Sequence, residues 1–263
     1  MKIGYIQTSP QFGDKNRNFK EIEKAIKNLK ADLIVLPELF ATGYTFINKE
    51  EAWSMAEDLK GETAQFLINI AQLTNSIVIG GFIEKDGEEI YNAALIVSNK
   101  GAIGSYRKLH LYYKEKLWFS PGNKPLKVYD LNGFKVGIMI CFDWIFPETA
   151  RSLSLLGADI IAHPSNLVLP YCQNAMVTRS LENRVFIITS NRIGEEKRGS
   201  DHFKFTGKSQ ITSYNGEILS SAPIDKPYID IIEIDIQRAR DKRLNEFNDI
   251  LNDRRPKFYF ETR

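Results

Sequence analysis

The sequence predicts an α/β fold in which two mixed sheets pack face to face and helices cover their outer sides. Apolar runs typical of buried strands alternate with amphipathic helical segments along most of the 263 residues. Hairpin signals such as Asp86-Gly87 and Asn215-Gly216 occur in both halves, so each half gains antiparallel strands. No linker, repeat or low-complexity segment divides the chain, and we expect a single domain over 1–263. A single doubly wound sheet is the alternative.

The first part of the chain alternates strands and helices. Residues 32–36 (DLIVL) form a short continuous apolar run, as expected of a strand that is covered on both faces. The segment 16–30 places its apolar residues on one helical face and its lysines and glutamates on the other. We therefore predict strands at 2–7 and 32–36, and helices at 16–30, 50–57 and 62–74.

The middle of the chain is dominated by hairpins. The alternation and turn signals predict strands at 77–84, 89–98, 102–107, 126–131 and 134–140. The aromatic stretch 109–122 lacks clear periodicity, and we predict a loop there.

The last part of the chain repeats the strand–helix alternation. A helix that stops before Gly157, a typical residue after a helix end, is followed by a strand, so this region is a βαβ unit. The polar stretch 194–204 is predicted to be an exposed loop. The remaining predictions are helices at 148–156, 174–184 and 237–245, and strands at 159–163, 185–190, 207–214, 217–221 and 228–234.

The composition excludes several classes of protein. Lysine and arginine total 35 against 33 acidic residues, and a net charge of +2 argues against a nucleic-acid-binding protein. No apolar run approaches the roughly 20 residues of a membrane-spanning helix. The two cysteines cannot form a disulfide framework and the N-terminus enters a strand directly, so we expect a cytoplasmic protein. The three histidines lack paired metal-ligand spacing, and we expect His110 and His163 to be structural.

A cysteine stands where a predicted strand meets a predicted helix. The strand 134–140 ends at Cys141, and Pro147 is well placed for the first turn of the next helix, where Glu148 suits the positive helix end. A thiol at such an elbow lies near helix N–H groups, which favour the reactive thiolate. A buried structural cysteine is the competing interpretation.

Three potentially catalytic residues each follow a predicted strand: Glu38, Lys108 and Cys141. Taken singly, they could be a surface carboxylate, a member of a charge cluster with Arg107, and a core cysteine. Taken together, they supply a base, a cation able to stabilise an oxyanion, and a nucleophile. Acyl transfer requires that combination.

The segments around these residues resemble the nitrilase superfamily of carbon–nitrogen hydrolases. The matching segments are LPELFATGY around Glu38, YRKLHL around Lys108 and GIMICFDWIFPETAR around Cys141. Supporting segments are EKLWFSPG with Glu115 and HPSN ending at Asn166. The Cys-Phe-Asp-Trp elbow is similar to the branch that contains archaeal aliphatic nitrilases and simple amidases.

The resemblance implies a four-layer α-β-β-α sandwich with Glu38, Lys108 and Cys141 as the catalytic triad. Glu115 matches a second glutamate that positions the substrate or the triad lysine. The implied reaction cleaves small, aliphatic nitriles or amides through a thioester, releases ammonia and requires no metal or organic cofactor. Alternatives are an ω-amidase, an N-carbamoyl-amine amidohydrolase, or a catalytically silent binding protein, which the intact triad disfavours.

Other residues are assigned to substrate binding and assembly. Aromatic side chains flank the catalytic positions, and we expect Tyr44, Phe142 and Trp144 to line a small, largely apolar pocket with Asn166. The resemblance also implies a homodimer joined through the helices after Cys141 and near Arg179. In that dimer the tail 249–263, with Phe258, Tyr259 and Phe260, would reach onto the partner subunit.

Overall fold

Two six-stranded mixed sheets form the centre of the molecule in the computed structural model, which describes residues 1–131 and 133–259. The first sheet contains β1 (Lys2–Gln7), β2 (Leu33–Val35), β3 (Ile77–Asp86), β4 (Glu89–Ser98), β5 (Gly101–Arg107) and β14 (Tyr228–Glu233). Their spatial order is β14-β1-β2-β3-β4-β5. Strands β1, β2 and β3 run parallel, and the other neighbouring pairs are antiparallel.

The second sheet has the same plan. It contains β6 (Val128–Leu131), β7 (Phe134–Ile138), β8 (Ile160–Pro164), β9 (Phe186–Ser190), β12 (Gln210–Thr212) and β13 (Ile218–Ser221), in the order β13-β12-β9-β8-β7-β6. Here β7, β8 and β9 are the parallel strands. Strands β10 (Glu195–Arg198) and β11 (Asp201–Lys204) form a separate hairpin.

Helices cover the outer faces of both sheets. The helices of the described chain are α1 (Lys15–Ala25), α2 (Lys49–Ser54), α3 (Glu62–Thr74), α4 (Glu115–Trp118), α5 (Pro147–Leu155), α6 (Cys172–Asn183) and α7 (Gln237–Arg240), of which α1, α3, α5 and α6 cover the sheets. Short 3₁₀ turns span Cys141–Ile145 and Pro256–Phe258. The start of α1 follows from its sequence, because the Asp14 side chain caps it by accepting the Arg17 N–H at 3.0 Å.

The main core lies between the two sheets. Tyr5 and Ile79 of the first sheet and Val136 and Ile161 of the second belong to one buried apolar cluster. Burying such a side chain stabilises the fold by about 1.5–3 kcal/mol. A second cluster packs α1 and α3 on the outside of the first sheet, while α5 and α6 pack outside the second. The predicted α-β-β-α sandwich is therefore confirmed, and the single doubly wound sheet is excluded.

Three local predictions were wrong. The predicted exposed loop 194–204 is the β10–β11 hairpin, held to the body by the buried carboxylate of Glu196. The predicted loop 109–122 contains the single-turn helix α4, which is too short to show a period. The predicted helix 237–245 ends at Arg240, because Asp241 turns to extended backbone.

Two further features concern the surface of the molecule. Among the described residues, no helix is both long enough and apolar enough to cross a bilayer. In the C-terminal segment Phe258 and Tyr259 are exposed, whereas Phe260 lies outside the described residues.

Candidate active site

The fold brings the three predicted catalytic residues to one end of the sandwich. Glu38 follows β2 of the first sheet, Lys108 follows β5, and Cys141 follows β7 of the second sheet. Gly81 on β3 makes this convergence possible, since a Cβ atom there would lie 2.5 Å from the Cα atom of Glu38. The backbone of β3 therefore passes directly against Glu38 and fixes its position.

Lys108 is the centre of a buried hydrogen-bonded cluster. Its Nζ atom lies 2.7 Å from Glu38 Oε1 and 2.8 Å from Glu115 Oε1. The side chains of Lys108 and Glu38 are fully excluded from solvent and that of Glu115 is nearly so. Burial alone would lower the pKa of Lys108, but the charges of Glu115 and Glu38 outweigh it and hold the pKa well above its usual value. Lys108 is therefore a permanent buried cation.

Glu115 is held from the other side by the backbone. Its Oε2 atom accepts the Tyr112 N–H at 2.9 Å. Burial raises the pKa of Glu115, the Lys108 charge opposes the rise, and the Glu38 charge adds to it. The charge of Glu115 therefore depends on Lys108.

Asn92 completes the cluster, and sequence reasoning missed it. Its Nδ2 atom donates to Glu38 Oε1 at 2.7 Å and lies 3.4 Å from Glu115 Oε1. The sequence does contain a signal for Asn92, since it is the lone asparagine in the otherwise apolar stretch IYNAALIV of β4. A buried amide in a central strand requires a polar partner.

One oxygen of Glu38 is left unpaired. Within residues 1–131 and 133–259, no hydrogen-bond partner reaches Glu38 Oε2, which is fully buried. Its other oxygen, Oε1, carries the bonds from Lys108 and Asn92. Glu38 is thus oriented by one oxygen and has the second available as a proton acceptor.

The surroundings of the Cys141 thiol disfavour its ionisation. Burial raises its pKa well above the usual value, the Glu38 charge raises it further, and the Lys108 charge opposes both. The backbone N–H of Asn166 also lowers it. Our expectation that helix N–H groups at the elbow favour the thiolate was therefore wrong, because desolvation outweighs them. A base must remove the thiol proton.

The elbow itself is held in an uncommon backbone conformation. Cys141 has φ of 41°, in the left-handed region that non-glycine residues seldom adopt. Its carbonyl accepts a 3.0 Å hydrogen bond from Nε2 of buried His163, whose pKa burial lowers to about 4. Because a carbonyl oxygen can only accept, Nε2 carries the proton, and Nδ1 accepts from the Thr189 hydroxyl 3.1 Å away. His163 is structural, as expected.

The buried carboxylate of Asp143 stabilises the backbone next to Cys141. Asp143 accepts hydrogen bonds from the Ile140 N–H at 2.8 Å, the Tyr106 hydroxyl at 2.7 Å and the His110 N–H at 3.1 Å. The His110 ring lies 2.8 Å from the same carboxylate, so His110 is also structural. Asp143 links the end of β7 to the segment that follows Lys108.

A small cleft borders Cys141. No charged side chain among the described residues lines this cleft. Its other lining residues are Tyr112, Phe142, Trp144, Asn166, Leu167, Val168 and Leu169. Three of the four predicted substrate-binding residues therefore lie in this cleft.

The fourth, Tyr44, lies elsewhere. It lines a separate cavity that Glu115, Trp118 and Phe203 also border. Burial raises the pKa of its hydroxyl, and the charges of Glu115 and Glu38 raise it further. The charge of Cys141 acts on this hydroxyl as well, so Tyr44 lies near both Glu115 and Cys141, although it does not line the cleft.

A second buried ion pair, which sequence reasoning also missed, fixes the loop that carries Tyr44. Glu196 pairs with Arg192. It also accepts hydrogen bonds from the Tyr44 N–H at 3.1 Å, the Thr45 N–H at 2.8 Å and the Thr45 hydroxyl at 2.6 Å. The β10–β11 hairpin is thereby tied to the segment that begins at Glu38.

The described residues contain no cluster of three or more histidine, cysteine, aspartate or glutamate side chains arranged to hold a metal ion. The chemical groups at the site are thus a thiol, two carboxylates and an ammonium.

Comparisons with known proteins show the family of this chain. Residues 2–244 match the family described as carbon-nitrogen hydrolase. The chain is 48% identical to a nitrilase of Pyrococcus abyssi over 264 residues, which cover 99% of both chains. It is 32% identical to an (R)-stereoselective amidase of a Pseudomonas species, over 97% of this chain and 92% of that one. The structure resembles a carbon-nitrogen hydrolase from Helicobacter pylori G27 with a TM-score of 0.87 and 26% identity, covering 98% and 96% of the two chains.

Proposed function

The chain belongs to the carbon–nitrogen hydrolase family, and from this membership we propose that it hydrolyses small, aliphatic nitriles or amides with Cys141 as nucleophile. The observation that carries the proposal is the buried cluster around Lys108. Its Nζ atom bridges Glu38 and Glu115, while Glu38 Oε2 has no partner among the described residues. A carboxylate oxygen without a hydrogen-bond partner can accept the proton of a nearby thiol and is therefore suited to general-base catalysis.

The first half of the reaction forms a thioester. Glu38 takes the proton of Cys141 as the sulfur attacks the carbon of the C–N group. With an amide, negative charge develops on the carbonyl oxygen, and the Lys108 ammonium and the Phe142 N–H stabilise it. The tetrahedral adduct collapses, the C–N bond breaks, and ammonia leaves with the proton returned by Glu38.

The second half of the reaction restores the thiol. Glu38 removes a proton from a water molecule, which attacks the thioester carbon. The C–S bond then breaks, the carboxylic acid leaves, and Cys141 recovers its proton. A nitrile consumes one water more than an amide, because attack of the thiol first gives a thioimidate, which must add water before ammonia can leave.

The lining of the cleft supports small neutral substrates. Phe142, Trp144 and Leu167 supply apolar surface. An ω-amidase substrate carries a carboxylate, and an unpaired buried charge is costly in a cleft without a cation. We therefore rank nitriles and simple amides above ω-amidase substrates, with carbamoyl-amines as the second candidate.

A silent binding protein is a weaker proposal than an enzyme. Burying one ammonium and two carboxylates costs several kcal/mol of desolvation per ion. A fold that only binds a neutral ligand gains nothing from that arrangement at Glu38, Lys108 and Glu115.

Ammonia release from a panel of short nitriles, amides and carbamoyl compounds tests the proposal. We expect the wild type to release ammonia from members of the panel and folded Cys141→Ala to release none. Wild-type protein that is folded but inactive throughout, or Cys141→Ala that remains active, would refute it.

We further propose that two copies pair through α5 and α6 and that the tail 249–263 clamps the partner. Leu155 and Leu181 are exposed on these helices, and Phe258 and Tyr259 are exposed in the tail. Large exposed apolar side chains of this kind suit an interface, and a two-fold arrangement needs only one self-complementary patch.

The remaining proposals concern organisation and location. We propose that residues 1–263 work as one domain, because the site takes residues from both sheets. We also propose a cytoplasmic location, since Cys141 and Cys172 are both free thiols and fit a reducing compartment.

A further inference from the structure

The side chain of Asn166 is an unpaired amide beside the catalytic thiol. It is only 2% exposed, and neither Nδ2 nor Oδ1 has a hydrogen-bond partner in the described part of the chain. An unsatisfied buried polar group costs about 1–3 kcal/mol. Unlike the other unpaired buried groups, Asn166 lines the cleft that contains Cys141, where a bound ligand can satisfy it.

The backbone around Asn166 is fixed on both sides. The Ser165 N–H donates to the Ser190 carbonyl at 2.8 Å, and the Leu167 N–H donates to Asn191 Oδ1 at 2.9 Å. The Asn166 N–H itself faces the sulfur of Cys141. The amide is therefore held at a set position relative to the nucleophile rather than carried on a loose loop.

The chemistry of the cleft limits what this amide can recognise. Its neighbours Leu167, Val168 and Leu169 are aliphatic, and no charged side chain among the described residues faces them. A charged substituent would be buried without a counter-charge, so the group must be neutral. Both the donor and the acceptor of Asn166 are free, and a carboxamide is a neutral group that offers the complementary pair.

We propose that Asn166 determines substrate specificity by pairing with a second, unreacting carboxamide on the substrate. Asn166 Nδ2 donates to the carbonyl oxygen of that group, and Asn166 Oδ1 accepts from its NH₂ group. The preferred substrates are thus short diamides, or nitriles that carry a carboxamide. This inference rests on the proposed function, because it concerns the acyl part of the molecule whose C–N bond Cys141 attacks.

Matched substrate pairs test the inference. Malonamide and isovaleramide have the same number of heavy atoms, and the second carboxamide of the first is an isopropyl group in the other. Succinamide and isocaproamide form an equivalent pair with a longer spacer. A site with buried hydrogen-bonding groups rejects an analogue that cannot pair with them, and we expect kcat/KM of the wild type to favour one or both diamides by about 10²-fold.

The variant Asn166→Leu replaces the amide by an apolar group of similar size. We expect the preference for the diamide to fall to about threefold or less, because the diamide loses its hydrogen bonds and the isopropyl compound does not. Asn183→Leu is the matched control, since Asn183 is also buried but lies in α6 and donates to the Arg179 carbonyl at 2.9 Å. It should lower thermal stability and leave the substrate preference in place.

The outcomes separate this inference from the proposed function. Equal losses on both members of a pair in Asn166→Leu would mean that the amide only supports the fold and would overturn the inference. A wild type that hydrolyses other amides or nitriles, but does not prefer either diamide, would overturn it while leaving the proposed function intact. Absence of ammonia release from every compound would overturn both.

Discussion

Replacing Lys108 by methionine removes the buried cation but keeps an unbranched side chain of similar length. In the wild type, Nζ lies 2.7 Å from Glu38 Oε1 and 2.8 Å from Glu115 Oε1, so both oxygens face the same ammonium group. Without the lysine, two carboxylates remain in the same buried space. Two unit charges roughly 5 Å apart repel by about 3 kcal/mol at an effective dielectric constant of about 20.

The repulsion makes the stability of Lys108→Met depend on pH. Burial already raises the pKa of Glu115, and Lys108 is the main cause that opposes the rise. The variant therefore holds a proton on a carboxyl whose unfolded pKa is about 4.3. When the pKa of a carboxyl is higher in the folded than in the unfolded protein, its contribution to folding stability is full at pH values below the unfolded pKa. This contribution is lost as the pH rises toward the folded pKa, by about 1.4 kcal/mol per pH unit.

Urea unfolding between about pH 5 and about pH 8 measures this effect. We expect the stability gap between wild type and Lys108→Met to widen by about 3 kcal/mol over that range. Lys114→Met is the matched control, because Lys114 pairs with Asp201 near the surface, and its removal should give a small gap that changes little with pH.

The same variant tests the catalytic role. Turnover should fall by about 10²-fold or more, as on removal of an oxyanion donor. Lys108→Arg should not restore it, because a planar guanidinium does not replace a point charge between two fixed carboxylates. A stability gap that is constant with pH, together with near wild-type ammonia release, would show that our account of Lys108 is mistaken.

Three further predictions concern other parts of the molecule. Iodoacetamide should inactivate the wild type and Cys172→Ala alike, with loss of ammonia release following modification of Cys141; inactivity of folded Cys172→Ala would contradict the assignment. Glu196→Ala should lower the free energy of unfolding by about 3–5 kcal/mol in urea or thermal unfolding, because it leaves buried Arg192 unpaired. Glu51→Ala breaks a partly exposed ion pair, and an equal loss of stability in that variant would argue against this reasoning. Deletion of 249–263 should shift light scattering toward the monomer and lower the thermal midpoint; full-length protein that is monomeric at micromolar concentration would rule out both dimer and clamp.

Much of the fold follows from local patterns. The helix Glu62–Thr74 and the strand Glu89–Ser98 have the bounds that the sequence predicts, because periodicity and the Asp86-Gly87 turn are local signals. The position of Glu38 and Cys141 at the carboxyl ends of parallel strands was also predictable, but the two strands belong to different sheets, and only the stacking of the sheets brings these ends together.

What the sequence could not predict depends on distant partners. The β10–β11 hairpin is polar and mostly exposed, and it is held to the body by distant partners, such as the bonds that Glu196 makes to Arg192 and to the Tyr44–Thr45 backbone. The protonation state of Cys141 depends on how completely the folded chain excludes water, and local residue types do not reveal that. The separation of Tyr44 from the cleft likewise results from tertiary packing.

The division of the site between two sheets has a consequence for biosynthesis. Glu38, Lys108 and Glu115 precede β6, so they emerge from the ribosome before any strand of the second sheet, whereas Cys141 arrives with β7. A nascent chain that has made only β1 to β5 has the proposed base and lacks the proposed nucleophile, and a fragment starting at β6 has the reverse. Hydrolysis therefore requires that the second sheet has folded against the first, and a chain cut between the two sets of residues should be inactive.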